Sequence, residues 1–519
     1  MAVRPVYLFA AIDVGSFELT MKIYEISVKK GIREVECLET RLALGSDTYK
    51  DGKISNEKVE ELCRVLAHFA EVMKSYQVEG YRAYGTSAIR ETENYAVLLD
   101  KIEQRTGIRI EILSNSEQRF LDYKSVAFAG EEFQSAIAES AAILDIGGGS
   151  IQISLFDNET LVSTQNLRLG VLRIKELADR LGADDSTMEI VTDELVSAQL
   201  SVYRKLFLKN REIRKLIIID DYISPWANAR KEKLGNSIEK PEFEHLRSQL
   251  RSMSSYEVAR AIGFPEDKVP LLVISTTLTA RVAELMGAQQ FWAPGVTLCE
   301  GIAYEYAQSR KLLKSPHDFE RDIIACAMNI AKRYEGSRRR AETLGRIAGT
   351  IFDSMKKIHG LGKRERLYLQ IACILHDCGK YISLVDIGER SYDIVMATEI
   401  IGLSHMEREI IANVIRFNHS PFIHYGADTE TGRLDKEAYL KVAKLTAILR
   451  LANSLDRSHK QKMLEAKAKL SGNELILTTG TKENIALERA FFMESADFFE
   501  EVYSIRPVLQ MKGASDEDA

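Results

Sequence analysis

The sequence contains few cysteines, prolines and tryptophans, with six, nine and two among 519 residues. The cysteines are scattered without a Cys-x-x-Cys pair, which excludes a disulfide framework and a zinc ribbon. An excess of basic residues is also absent, since the formal net charge is −6. This charge argues against a general nucleic-acid-binding protein. Neither a signal peptide nor an apolar run long enough for a membrane span is indicated. We therefore expect a cytoplasmic protein without membrane or nucleic-acid partners.

Strands and helices are predicted to alternate through the first part of the chain. The pattern begins with paired strands over 7–14 and 20–27, and the same strand-helix pattern starts again near Ala141. A further strand is predicted over 271–276. This alternation is typical of α/β layers.

The later part of the chain differs in character, because residues 318–460 have helical periodicity throughout. A strand over 474–479 and a helix over 486–503 follow. Since one hydrophobic core does not serve a chain of this length, we predict several domains. The predicted domains are two α/β lobes over 1–125 and 126–312, a helical domain over 313–465, a small α+β domain over 466–512 and a disordered tail over 513–519.

A short motif of the form Asp-x-Gly occurs twice, each time directly after an apolar strand. The two copies read Asp13-Val14-Gly15-Ser16 and Asp145-Ile146-Gly147-Gly148-Gly149-Ser150. Glycine has no Cβ, so such a turn brings backbone N–H groups close to a phosphate, and the aspartate can hold a metal ion. Two copies predict two similar halves that face one phosphate-binding cleft. Two ordinary strand-to-turn corners are the alternative.

Further segments accompany these motifs in the order of a known family. They read Thr86-Ser87-Ala88-Ile89-Arg90, Leu169-Gly170-Val171-Leu172-Arg173, Glu300-Gly301-Ile302 and Arg450-Leu451-Ala452-Asn453-Ser454-Leu455-Asp456-Arg457-Ser458. The sequence resembles the exopolyphosphatase and guanosine pentaphosphate phosphatase (Ppx/GppA) family over nearly its whole length. The resemblance implies an actin/Hsp70/sugar-kinase-like pair of α/β lobes, an all-α HD-type domain and a small C-terminal domain. It also implies removal of terminal phosphate from inorganic polyphosphate or pppGpp, usually with Mg²⁺.

The resemblance further implies which residues bind phosphate and metal. The phosphate-binding candidates are Gly15, Ser16, Thr86, Ser87, Arg90, Gly147, Gly148, Gly149 and Ser150. Asp145 is the candidate Mg²⁺ ligand, with Asp13 as the second. The Arg90 guanidinium suits a forked contact to phosphate oxygens, with a surface salt bridge as the alternative. Turn capping is the alternative for the Thr86 and Ser87 hydroxyls.

Several positions depart from the family pattern. The usual catalytic glutamate, aligned without gaps, falls on Gln118, whose amide orients a water but does not accept its proton. The neighbouring Glu117 replaces it only if the backbone turns. Gln152 stands where the family usually has a second glutamate. Asp220 and Asp221 stand where the family has a Gly-Thr-rich phosphate-binding turn. The candidate catalytic residues are therefore Glu117, Gln118 and Arg90.

The helical domain departs from the HD pattern in a similar way. His376, which belongs to a His-Asp pair, and His419 are retained. Arg340 and Arg390, however, align with positions that are histidine in HD domains, and Asn453 aligns with a position that is frequently aspartate. Two neutral imidazoles and one carboxylate make a poor metal site. We expect a structural role for His376, and the added arginines form either a solvated helix face or an anion track.

Three functions follow from these observations. The first is a Mg²⁺-dependent phosphoanhydride hydrolase, slowed by the loss of a general base, which typically costs about 10²–10⁴ in rate. The second is a catalytically silent sensor of polyphosphate or (p)ppGpp, and the third is a sugar- or acetate-kinase-like phosphotransferase. We favour the hydrolase because the preserved phosphate-binding parts outnumber the lost ones. The sequence does not choose between polyphosphate and pppGpp, and a homodimer is expected from the family alone.

Overall fold

The computed structural model describes residues 6–184, 187–229, 236–315, 317–426 and 434–512. They form two compact units, Met1–Phe319 and Glu320–Ala519. The boundary lies shortly after residue 312, where the sequence predicts the end of the α/β lobes. The predicted disordered tail, 513–519, lies outside the described residues.

Unit 1 begins with a five-stranded sheet, here named sheet A. Its strands are β1 (Tyr7–Val14), β2 (Glu18–Ser27), β3 (Gly31–Arg41), β4 (Gly80–Gly85) and β5 (Glu111–Ile112). The strand order is β3-β2-β1-β4-β5. The pairs β1–β2 and β2–β3 are antiparallel, whereas β1–β4 and β4–β5 are parallel. The strand pair predicted at the N-terminus is thus confirmed.

A second sheet in unit 1, sheet B, repeats this arrangement. Its strands are β6 (Ser140–Ile146), β7 (Ile151–Asp157), β8 (Thr160–Leu167), β9 (Lys215–Ile219), β10 (Ser237–Glu239) and β11 (Gln290–Trp292). In the order β8-β7-β6-β9-β11, the first two strand pairs are antiparallel and the next two are parallel, as in sheet A. The edge strand β10 pairs with β11 in the antiparallel direction. The strands β1 and β6 are therefore equivalent, and each ends in an Asp-x-Gly motif.

Helices cover both sheets. They are α1 (Leu44–Asp51), α2 (Asn56–Ser75), α3 (Ser87–Glu91), α4 (Tyr95–Thr106), α5 (Asn115–Ala127), α6 (Glu131–Ile137), α7 (Val171–Arg180), α8 (Met188–Tyr203), α9 (Ile223–Ala229), α10 (Lys240–Ser252), α11 (Ser255–Ile262), α12 (Val269–Met286) and α13 (Leu298–Ser309). In α2 the apolar residues recur at helical spacing, and Val59, Leu62, Leu66 and Phe69 are buried in the core of sheet A.

Helix α13 returns to sheet A although it follows sheet B in the chain. It packs on β1 and α5, and its Leu298 and Ile302 lie in a buried cluster with Phe9 and Tyr24. The predicted lobe II, 126–312, included this helix, and its contacts correct that assignment. Sheet A carries apolar side chains on a second face, and α5 and α13 remove that face from water.

The strand predicted over 271–276 is wrong, because the segment belongs to α12. Its side chains are buried on nearly every side, and a fully buried helix lacks the amphipathic period that would separate it from a buried strand. The stretch Glu266–Met286 is also long and apolar enough to cross a membrane, yet 72% of its most apolar window is buried within the protein. These observations identify a core helix.

Unit 2 is helical up to its last part. The helices are α14 (Phe319–Arg333), α15 (Arg338–Ser354), α16 (Lys363–Leu375), α17 (Ile387–Ala397), α18 (His405–His419) and α19 (Lys436–Ser454). A three-stranded sheet and one helix follow, namely β12 (Lys467–Ser471), β13 (Glu474–Thr479), α20 (Ala486–Tyr503) and β14 (Arg506–Met511). The change from helices to strands falls where the sequence predicts it.

Two helical glycines are expected to respond in opposite ways to alanine. At Gly301 in α13 a Cβ would lie 2.2 Å from the carbonyl oxygen of Leu121 in α5, so Gly301→Ala is expected to destabilise unit 1 by about 1–3 kcal/mol. At Gly345 in α15 nothing lies within 4 Å of an added Cβ, so Gly345→Ala is expected to stabilise unit 2 by about 0.8–1 kcal/mol. Urea unfolding followed by circular dichroism measures both. Stabilisation by Gly301→Ala would contradict the packing of α13 on α5.

Candidate functional site

A cavity of about 130 Å³ lies between sheets A and B, where β1, β6 and β9 end. The predicted site residues that line it are Asp13, Gly15, Ser16, Gln118, Asp145, Gly147 and Gly148. Residues that the sequence did not assign to the site also line it, among them Arg119, Asp122 and Cys299. Both Asp-x-Gly corners therefore open onto one shared cavity.

The two corners are tight turns of the same form. Gly15 and Gly147 each donate their N–H to the carbonyl oxygen three residues further on, at 3.0 Å in both turns. The next residues, Ser16 and Gly148, are in contact, because a Cβ on Gly148 would lie 3.0 Å from the Cβ of Ser16. The repeat in topology thus brings equivalent turns face to face.

A cluster of hydroxyl groups lies where the turns meet. The Ser16 Oγ lies 2.8 Å from the Ser87 Oγ and 3.0 Å from the Tyr49 hydroxyl, which in turn lies 2.9 Å from the Ser87 Oγ. A Cβ on Gly149 would lie 2.7 Å from the Tyr49 hydroxyl. Thr86 donates its hydroxyl to a carbonyl oxygen of β1 at 3.4 Å. The predicted phosphate-binding hydroxyls of Ser16 and Ser87 therefore contact each other in this structure.

Ion pairs between the lobes keep the cavity narrow. Glu18, on the cavity wall, binds Lys268 at 2.7 Å. Arg173 of α7 binds Glu91 of α3 at 2.5 Å and donates to the carbonyl oxygen of Gly149 at 3.0 Å. These contacts join the two lobes beside the site.

The guanidinium of Arg119, from α5, occupies the space beside Asp145. The side chain is only 4% exposed, forms an ion pair with Asp145 and lies 3.7 Å from the Asp122 carboxylate. Its Nη2 donates to the carbonyl oxygen of Ser150 at 3.0 Å. A Cβ on Gly147 would lie 2.9 Å from that nitrogen, so glycine leaves the room that the guanidinium needs. The sequence signal for this contact is weak: Arg119 and Asp122 share one helix face, but Asp145 lies on another element.

Burial changes the acidity of the surrounding carboxyl groups. Burial, followed by the charge of Asp221, raises the pKa of Asp13 to about 7. Burial, followed by the charge of Asp220, raises the pKa of Asp221 to about 7. Burial and the charge of Asp145 raise the pKa of Asp122 well above its usual range. Within the described residues, the Asp13 Oδ1 and the Asp145 Oδ2 are buried without a hydrogen-bond partner.

The arrangement does not suit the Mg²⁺ ion that the resemblance implies on Asp145 and Asp13. Mg²⁺ requires oxygen ligands in near-octahedral geometry, whereas Asp145 already binds a buried guanidinium through one carboxylate oxygen. In the part of the chain that the structure describes, no group of three or more His, Cys, Asp or Glu side chains is placed to hold a metal ion.

The three candidate catalytic residues lie in different surroundings. Gln118 lines the cavity. Glu117 belongs to the capping box of α5, where its carboxylate accepts from the Ser114 N–H at 3.0 Å and from the Ser114 hydroxyl at 2.6 Å. Arg90 donates to the carbonyl oxygen of Leu113 at 2.6 Å and to the side chain of Asn115 at 2.5 Å. Of these three, the structure places Gln118 alone on the cavity wall.

The two aspartates after β9 have separate roles. Asp220 accepts from the backbone N–H groups of Ile223 and Ser224 at 2.8 and 2.9 Å, at the start of α9. It also accepts from the hydroxyl of Ser275 at 2.8 Å. Asp220 therefore caps the start of α9, and both Asp220 and Asp221 line the cavity.

A second buried arginine organises the polar centre of unit 2. Arg340 donates from Nε to the His376 Nε2 at 3.0 Å and from Nη2 to the Asn453 side-chain oxygen at 2.6 Å. Burial lowers the pKa of His376 to about 3, and its Nδ1 lies 2.9 Å from the carbonyl oxygen of Cys373. A neutral ring with its proton on Nδ1 satisfies both contacts. His419 lies 2.7 Å from the carbonyl oxygen of His376 through its Nε2.

Two family models match this chain. The model of the Ppx/GppA phosphatase family matches residues 23–310, and the model of Ppx/GppA phosphatase, domain III, matches residues 324–494. The first match alone spans more than half of the sequence. The chain therefore belongs to the Ppx/GppA phosphatase family, and the resemblance found in the sequence is confirmed.

Solved structures show the same two-lobed fold. An exopolyphosphatase from Cytophaga hutchinsonii is 21% identical, with a TM-score of 0.52 over 59% of this chain and 100% of that chain. The Aquifex aeolicus member of the Ppx/GppA family is 17% identical, with a TM-score of 0.50 over 59% of this chain and 99% of that chain. The predicted class of paired α/β lobes is thereby confirmed.

Arg340 and Arg390 provide a matched pair of substitutions, since both stand at positions predicted for histidine. Arg340→Ala leaves His376 and Asn453 buried without their donor and is expected to destabilise unit 2 by about 3 kcal/mol. Arg390 pairs with Asp393 at 3.0 Å on the surface, so Arg390→Ala is expected to cost less than about 1 kcal/mol. Thermal unfolding of both variants measures the difference. Equal losses would show that the Arg340 contacts do not stabilise the unit.

Proposed function

We propose that this protein is a phosphatase that removes the terminal phosphate of inorganic polyphosphate or pppGpp in the cavity between sheets A and B. Family membership supports the reaction class, and the likeness to an exopolyphosphatase supports polyphosphate-type substrates. The observation that carries the proposal is the pair of equivalent glycine turns on one shared cavity.

The turns offer backbone donors to a phosphate group. Ser16 and Gly148 hold equivalent positions on the cavity wall, and among the described residues neither N–H donates to a backbone carbonyl. Such exposed N–H groups bind anions. A volume of about 130 Å³ corresponds to about four water molecules, so the cavity takes a terminal phosphate group rather than a whole nucleotide.

The acidic wall is compatible with phosphate when some of its carboxyl groups hold protons. Ionised carboxylates would repel a phosphate, whereas protonated ones donate hydrogen bonds to it. The pKa values of Asp13 and Asp221, both raised to about 7, leave each carboxyl group partly protonated and partly ionised near neutral pH. Asp122, whose pKa is also raised, further reduces the negative charge.

Hydrolysis also requires a group that accepts the proton of the attacking water. Gln118 does not accept it, and Glu117 is held in the capping box of α5. Asp13 lines the cavity and has a buried, unpartnered Oδ1 within the described residues. We infer that Asp13 in its ionised form accepts the proton and that Gln118 orients the water, in a reaction slower than one with glutamate at residue 118.

Substitutions at the two cavity residues test this assignment. Asp13→Asn is expected to lower the rate of phosphate release about 10²-fold or more, because general-base catalysis contributes about 10²–10⁴. Gln118→Glu places a carboxylate on the same wall and is expected to raise the rate by about 10-fold or more. Initial rates with polyphosphate and with pppGpp measure both effects and distinguish the substrates. An unchanged rate in Asp13→Asn would overturn the role of Asp13.

Glu117→Gln tests whether the capping carboxylate is outside the reaction. Glutamine at this position preserves the capping box, so the rate of phosphate release is expected to stay within about twofold of the wild type. A loss as large as that expected for Asp13→Asn would instead place Glu117 in the proton transfer. The same phosphate-release assay gives the answer.

A silent sensor of polyphosphate or (p)ppGpp is the second candidate function. The ion pair of Arg119 with Asp145 and the amide at Gln118 favour it, since the first occupies the predicted metal ligand and the second does not accept a proton. Isothermal titration calorimetry separates the two functions. Binding without phosphate release, in the wild type and in Gln118→Glu, would favour the sensor. Light scattering tests the homodimer that the resemblance implies.

A further inference from the structure

The Arg119 guanidinium occupies the position at which the family resemblance expects a metal ion. It forms an ion pair with Asp145, the predicted metal ligand, and donates to the carbonyl oxygen of Ser150 at 3.0 Å. We propose that Arg119 is a built-in replacement for the divalent cation, so that ligand binding at this site does not require Mg²⁺. The inference rests on the proposed function for its ligand, a terminal phosphate group.

Burial and packing make this cation a permanent part of the site. The Arg119 side chain is 4% exposed, and its position depends on Gly147, where a Cβ would lie 2.9 Å from the Nη2 atom. A Mg²⁺ ion at about 2.0–2.1 Å from an Asp145 oxygen would carry its own waters or further oxygen ligands. The guanidinium would have to leave its buried position to admit them.

The guanidinium also supplies the chemistry that a cation gives to a phosphate site. It is charged at every accessible pH and presents donors in a fixed planar arrangement. Arg119 lines the cavity, and its Nε is buried without a hydrogen-bond partner among the described residues. The guanidinium therefore retains a donor that the protein does not use.

Thermal unfolding with MgCl₂ as the probe tests the inference without any substrate. The wild-type Tm is expected to be the same in EDTA and in millimolar MgCl₂. Arg119→Ala leaves the Asp145 charge buried without its partner, so its Tm is expected to fall in EDTA and to rise by several degrees when MgCl₂ is added. Stabilisation of the wild type by MgCl₂ would overturn the proposal.

Two further variants keep the result interpretable. Arg247→Ala removes another buried arginine, which forms an ion pair with Glu189 at 3.0 Å. Neither residue lines the cavity, so the decrease in Tm is expected to be the same in EDTA and in MgCl₂. The double variant Arg119→Ala/Asp145→Asn removes both charges, so it is expected to fold and to show no response to MgCl₂. A response in either variant would contradict specific replacement of the metal ion by Arg119.

Titration of polyphosphate in EDTA and in MgCl₂ connects the inference to the ligand. The wild-type Kd is expected to differ by less than about tenfold between the two conditions. Binding that requires MgCl₂ would refute metal independence and leave the proposed function intact. Absence of binding in both conditions would reject the proposed function, while the thermal experiment would still decide the role of Arg119.

Discussion

The buried ion pair between Arg119 and Asp145 is the constraint on which the site depends. Removing one member of such a pair costs about 3–5 kcal/mol, because the remaining charge is left without compensation. The pair therefore fixes α5 against the end of β6 and sets the charge of the cavity. It also requires glycine at residue 147, since a Cβ there would lie 2.9 Å from the guanidinium.

The repeated topology of the two sheets explains why the Arg119–Asp145 ion pair lies at the cavity between them. Equivalent strands, β1 and β6, end in equivalent turns, and the packing of the two lobes brings Ser16 and Gly148 into contact. Neither turn forms the cavity alone. Helices α5 and α13 cover the second face of sheet A, and α5 carries Gln118 and Arg119 to the cavity wall.

A buried guanidinium is also the centre of the polar cluster in unit 2. There Arg340 joins His376 to Asn453, from α19. In both units an arginine contacts a residue at which the family pattern suggests a metal ligand, Asp145 in one case and His376 in the other. A guanidinium bridges several acceptors at fixed angles, which allows it to organise such polar centres as part of the covalent chain.

The sequence predicted much of the fold, and its errors have physical causes. Periodicity correctly indicates the paired strands that begin each α/β lobe and the helical region of unit 2. It also indicates β13 and α20 near the end of the chain. The error over 271–276 arose because α12 is apolar on nearly all sides, and periodicity does not separate a fully buried helix from a buried strand. The assignment of α13 to the wrong lobe arose because chain order does not determine which sheet a helix covers.

The sequence by itself determined the family and the paired lobes through the resemblance of its ordered motifs, and the two Asp-x-Gly turns through local patterns of apolar residues, glycine and aspartate. Only the tertiary structure decided that Glu117 caps a helix, that Gln118 lines the cavity and that Arg119 binds Asp145. Neighbouring residues of one helix point in different directions, and a contact between α5 and β6 exists only once both have packed. Packing therefore decides which side chains reach the site.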